Sequence, residues 1–97
     1  MIDMYDFEAD EAKKALAGKV LDQLGPDTPL AEPIAVAWRA GEWDDVMYDA
    51  FIDVLDGYGD VSPRLVEEAI NQWPDVLRLS DMGVKLQAWL QQQLVDA

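Results

Sequence analysis

Cysteine and histidine are both absent from the 97 residues of this chain. Without cysteine there is no disulfide framework, no thiolate metal site and no thiol nucleophile, and without histidine the commonest general base and the commonest metal ligand are missing. The sequence also has no run of eighteen apolar residues and no basic start followed by an apolar segment, so neither a membrane span nor a secretory leader is expected. No phosphate-binding glycine loop and no Gly-x-Ser-x-Gly elbow occurs. Bases are scarce as well: 7 Lys and Arg stand against 20 Asp and Glu, a formal net charge of −13. What is plentiful is apolar surface, 51% of residues including four Trp, enough for one small core and against disorder. The expectation is one soluble domain over residues 1–97, cytoplasmic, and in the host cytoplasm if phage-encoded.

The acidity falls in blocks. Residues 1–12 carry Asp3, Asp6, Glu8, Asp10 and Glu11 with no base, and residues 40–63 carry Glu42, Asp44, Asp45, Asp49, Asp53, Asp56 and Asp60 with no base. Residues 13–39 hold Lys13, Lys14, Lys19 and Arg39 against Asp22, Asp27 and Glu32. Such a molecule is electrically lopsided, unlike an evenly charged solubility surface.

Hydrophobic spacing predicts an all-α single-domain bundle of four to five short helices. From Asp6 to Leu24, Ala12, Leu16, Val20 and Leu24 recur every four residues, with Ala9 and Leu21 flanking, until Gly25-Pro26 stops the helix. A short helix is expected from Pro33 to Ala40 with Gly41 as its C-terminal cap. Over residues 42–56, Trp43, Val46, Met47, Ala50, Phe51, Val54 and Leu55 follow the spacing of one helix face. Ser62-Pro63 reads as an N-cap and first-turn proline opening a helix that buries Leu65, Val66, Ala69, Ile70 and Trp73 and stops at Pro74. A brief extended or helical piece at residues 76–79 precedes Ser80, which caps a last helix with Met82, Leu86, Trp89, Leu90 and Leu94 as its apolar face.

The most informative polar pattern is on the helix over residues 42–56. Asp45, Asp49 and Asp53 stand at i, i+4 and i+8, and Glu42 and Asp56 extend the row by three at either end. At ~1.5 Å rise per residue the rungs are ~6 Å apart, on the scale of successive phosphates in a nucleic-acid strand. Like charges at this spacing oppose the helix by roughly 0.2–0.5 kcal/mol per pair, and Asp is a poor helix former, so a merely solvated face has better choices. The ordinary alternative is that the row is the solvated side of an amphipathic helix. Tyr48 lies off the apolar stripe and is the expected exposed aromatic anchor, with Trp43 and Tyr58 partly exposed nearby.

Other patterns point to less. Residues 56–67 superficially fit a twelve-residue calcium loop, but Tyr58 stands where a ligand is needed and Val61 where glycine makes the turn. No metal and no cofactor is expected, and paired acids such as Asp44 with Asp45 or Glu67 with Glu68 have nothing to tune them for acid–base work, so the chain does not read as an enzyme. The segment Val76-Leu77-Arg78-Leu79-Ser80-Asp81-Met82-Gly83-Val84-Lys85-Leu86 resembles the end of a winged-helix domain, where a wing strand leads through a capped turn into a closing helix. That resemblance implies a DNA reader, which needs a basic recognition helix; here Glu67 and Glu68 face phosphate, beside Asn71 and Gln72.

The expected function is therefore inhibition by protein–protein binding. The acidic face, Glu42, Asp45, Tyr48, Asp49, Asp53 and Asp56, imitates a phosphate backbone and occupies the basic, nucleic-acid-binding surface of a host protein, as anti-CRISPR proteins and other DNA mimics of phages and mobile elements do. Direct contact with nucleic acid or membrane is not expected. Two alternatives remain open: a phage or secretion assembly adaptor that forms a homodimer or larger homo-oligomer, with Leu90, Leu94 and Val95 exposed, and an immunity protein or antitoxin against a basic nuclease.

Overall fold

The computed structural model describes the backbone of residues 4–72 and 81–96 and the side chains of residues 11–72 and 81–93. Among these residues there are five α-helices and no strand: α1 Met4–Leu24, α2 Ala31–Ala40, α3 Trp43–Leu55, α4 Pro63–Gln72 and α5 Asp81–Asp96. The expectations for Trp73, for residues 76–79, for Ser80 as a cap and for the side chains of Leu94 and Val95 lie outside the described residues, as do residues 76–80 of the winged-helix resemblance.

Local chemistry sets most helix ends. α1 stops where Gly25 takes a left-handed conformation and its N–H still reaches the carbonyl of Leu21 at 2.9 Å. α2 begins at Ala31, two residues before the expected start, which leaves Pro33 in the first turn where a missing N–H forfeits no helical bond. At its other end Gly41 is left-handed, and the N–H groups of Gly41 and Glu42 close on the carbonyls of Trp38 and Ala37 at 3.1 and 3.0 Å. Ser62 caps α4 as expected, its Oγ accepting from the Leu65 N–H at 3.3 Å.

α3 is the hub of the bundle, packing against α1, α2 and α5, while α4 lies on α5 and α1. Its apolar stripe is buried as the spacing requires: Val46, Met47, Ala50 and Phe51 are wholly inaccessible, and Trp43 and Val54 nearly so. Burying side chains the size of Phe51 or Met47 contributes roughly 1.5–3 kcal/mol each. Leu16, Ala17, Val20 and Leu24 of α1, Ile34 and Ala37 of α2, Leu65, Val66, Ala69 and Ile70 of α4, and Met82, Leu86 and Leu90 of α5 complete one continuous core.

Three expectations about burial are corrected. Leu90, exposed in the assembly-adaptor alternative, is buried, because α5 turns it onto the core with Met82 and Leu86. Ala12, placed on the α1 stripe by its four-residue spacing, is exposed. Trp43 is buried rather than partly exposed; it meets Trp38 edge-on with ring centroids 5.0 Å apart, and the Lys14 ammonium lies 5.8 Å from its ring centre.

Candidate functional site

The acids of α3 point in three different directions, because each is placed by its angle around the helix and by the neighbour on that side. Asp44, in the first turn, faces α1 and pairs with Lys13 at 3.3 Å. Glu42, Asp45 and Asp49 face α2, where with Glu32, Pro33, Val36 and Ala37 they line a groove of about 540 Å³. Among the described residues, four carboxylates and no base border this groove, and its apolar side is formed by α2. Val36 is 55% exposed there.

Asp53 does not belong to this surface. Its side chain is wholly buried, and Oδ2 accepts a hydrogen bond from the Leu30 N–H at 3.3 Å, while Oδ1 has no hydrogen-bond partner among the described residues. Leu30 immediately precedes α2, so the carboxylate sits at the N-terminal end of that helix, where unpaired N–H groups and the helix dipole favour a negative group. The expected row of acids is interrupted for a geometric reason. Four residues exceed one helical turn, so an i, i+4 row drifts by roughly 40° per step, and the step from Asp49 to Asp53 carries it onto the flank that α2 covers. Asp53 is thus a fold residue that fixes the start of α2 against α3.

Replacing Asp53 separates these roles. Asp53→Ala leaves the Leu30 N–H without an acceptor and is expected to destabilise the fold by about 1–3 kcal/mol, whereas Asp53→Asn keeps an acceptor oxygen and is expected to lose less. Chemical denaturation of both variants checks the order; equal stability of the two would show that the Leu30 contact contributes nothing.

The remaining expected residues are exposed but do not line the groove: Tyr48 is 42% exposed on α3, and Asp56 follows its last turn. Tyr58, 43% exposed, lies in the loop between α3 and α4. Glu32 and Val36 were missed by the sequence reading. The signal was present, since Ile34 and Ala37 at i, i+3 define the buried line of α2 and Glu32 and Val36 at i, i+4 share another face.

Hydrogen bonding, burial and neighbouring acids raise two carboxyls of the groove. Glu42 is held above the ordinary carboxylate range by a side-chain hydrogen bond with Asp45, by the charge of Asp45 and slightly by burial. Asp49 is raised by partial burial and by the charges of Asp45 and Asp53. Glu32 on the facing helix adds a further acid and no base. A carboxyl raised in the folded state binds its proton more tightly there than in the unfolded chain, so its stabilising contribution is complete below the ordinary carboxylate range and is lost as pH rises through the raised value. Mild acidification from neutrality is therefore expected to raise the melting temperature through these two groups, and the Glu42→Gln, Asp49→Asn double variant to flatten that part of the profile; thermal melts followed from neutrality into mild acid check it.

The chemistry open to such a groove is recognition of cations. Guanidinium or ammonium groups satisfy carboxylates on the α3 side, and their aliphatic stems cover Pro33, Val36 and Ala37. Among the described residues no group of three or more acids converges to hold a metal ion, and no helix is long and apolar enough to cross a membrane. The chain matches no protein-family model, no curated protein and no solved structure. The groove's own chemistry is thus the ground for a functional reading.

Proposed function

We propose that the protein is an inhibitor that acts by binding, its acidic α2–α3 face occupying the cationic nucleic-acid-binding surface of another protein in the manner of a phage or mobile-element DNA mimic of the anti-CRISPR type. The observation that carries this reading is the groove bordered by Glu32, Glu42, Asp45 and Asp49 with no base lining it among the described residues. Like charges at helical spacing oppose the helix, and a partner's Lys and Arg side chains relieve that repulsion. The exposed Val36 beside the acids, and Tyr48 further round α3, are available for apolar contact with such a partner. The net charge of −13 steers a basic partner toward the molecule over a longer range.

The test is retention of nucleic-acid-binding proteins from a bacterial lysate on the immobilised protein. Retained proteins are expected to elute in a salt gradient, to be displaced by added duplex DNA, and to be lost when Glu42, Asp45 and Asp49 are replaced by Gln, Asn and Asn. Retention indifferent to salt, to duplex and to those substitutions would reject the reading.

A further inference from the structure

We propose that the basic partner of the acidic face docks as an extended protein segment, one of whose main-chain carbonyls accepts a hydrogen bond from the indole N–H of Trp43. The acidic surface does not stop at the α2–α3 groove. Glu42 and Asp45 also line a smaller groove of about 300 Å³ on the α1 side of α3, together with Lys13, Gly41, Trp43 and Asp44. These two acids stand between the grooves at the N-terminal end of α3, so a ligand lying across that end meets both.

Trp43 sets what the second groove takes. Its side chain is 9% exposed, and Nε1 is shielded from bulk water with no hydrogen-bond partner among the described residues. An indole N–H placed so deeply ordinarily has an acceptor. The ring edge that carries Nε1 is turned toward this groove: a Cβ on Gly41 would stand 3.9 Å from Cζ2, which is bonded to the same ring carbon as Nε1. Lys14 lies over the face of the ring and not at that edge. At the same end of α3, Glu42 makes no side-chain cap to the first turn, so the helix terminus adds donor character beside the indole. Charge then selects the acceptor. Glu42, Asp44 and Asp45 line the groove in a chain of net charge −13, and they repel a carboxylate or a phosphate. A polyamine suits the acids but has no acceptor to offer. A peptide group offers a carbonyl with no net charge, and where its residue is Lys or Arg the same residue supplies the cation that Glu42 and Asp45 bind. The indole is reached once the Lys13 side chain, which lines this groove on a flexible stem and pairs with Asp44 at 3.3 Å, swings aside.

This contact presupposes the acidic-face function proposed above, and the two fail differently. The test follows the assigned Trp43 indole N–H signal of the full chain by NMR while acetyl-Lys-Lys-Lys-amide is added in one series and spermidine, of the same charge but with no carbonyl, in another. The peptide is expected to move the Trp43 signal downfield and to slow its exchange with solvent by about tenfold, the scale of one ordinary hydrogen bond. Spermidine is expected to bind the acids and leave that signal in place. Trp43→Phe keeps an aromatic ring but no donor, and is expected to weaken the peptide about tenfold without altering spermidine binding or the salt dependence, because the group removed is uncharged. A Trp43 signal unmoved by bound peptide, a signal moved alike by both ligands, or a folded Trp43→Phe that binds the peptide as the native chain does would overturn the carbonyl contact and leave the acidic face standing. Failure of both peptide and spermidine to bind would overturn the acidic-face function and this contact with it.

Discussion

Gly59→Ala is expected to destabilise the fold by roughly 2–4 kcal/mol, which for a domain of this size lowers the melting temperature by about 10–25 °C. Gly59 is left-handed, with φ of 72°, a conformation that L side chains reach only at some strain. The larger part of the loss is steric. A Cβ on Gly59 would lie 2.7 Å from the carbonyl oxygen and 2.8 Å from the Cα of Leu24, and backbone at the end of α1 cannot swing aside as a side-chain tip can. The loop is tied to that same helix end, since the Asp60 N–H donates to the Gln23 carbonyl at 3.3 Å and the Ser62 N–H to Gln23 Oε1 at 2.7 Å. Forcing it away breaks these bonds and displaces Val61, which is buried in the core. Gly57→Ala is the control, because Gly57 also has positive φ, 91°, but none of the described residues stands within 4 Å of its Cβ position. It is expected to lose only the conformational term, about 1–2 kcal/mol. Equal losses at the two positions would show that the docking of this loop on α1 contributes nothing beyond backbone strain.

Neutralising Glu42, Asp45 and Asp49 together is expected to lower affinity for a basic partner by about a hundredfold at low salt and to reduce the steepness of its salt dependence by roughly three charges' worth. The fold is expected to hold or gain slightly, since like charges at helical spacing are removed and no intramolecular ion pair to a base is lost from these three positions among the described residues. Asp53→Asn removes one negative charge as well, but from the interior, and is expected to leave the salt dependence nearly unchanged. Binding titrations at several ionic strengths distinguish the two cases. A triple variant that binds as tightly as the native chain would remove this groove from the interface.

The helices were largely legible in the sequence because their signals are local. The period of Trp43, Val46, Met47, Ala50, Phe51 and Val54 is that of one helix face, and all six are buried. Gly41 and Ser62 act where a left-handed cap and a hydroxyl N-cap are needed, and both motifs span only a few residues. The site was less legible. Spacing placed Glu42, Asp45 and Asp49 on one face correctly, but treated a four-residue row as parallel to the helix axis. The drift of that row sends Ala12 out of the core at one end of α1 and Asp53 into it near the end of α3. Glu32 and Val36 went unread because they join the site only through the packing of α2 on α3.

By itself the sequence determined the helical class, most helix ends, the apolar faces and the concentration of acid in two blocks. These follow from backbone conformational preferences, from periodicity and from composition, which act over a turn or two of chain. Only the tertiary structure decided which acid meets solvent and which meets another helix. α2 lies along one flank of α3, turning Asp53 into an internal anchor for the Leu30 N–H and gathering Glu32 with Glu42, Asp45 and Asp49 around one groove. The same placement, with α1 and α2 apart, opens a neutral apolar groove on the other side. Both outcomes depend on contacts between residues distant in the chain, and no local period encodes which flank of a helix its neighbour will cover.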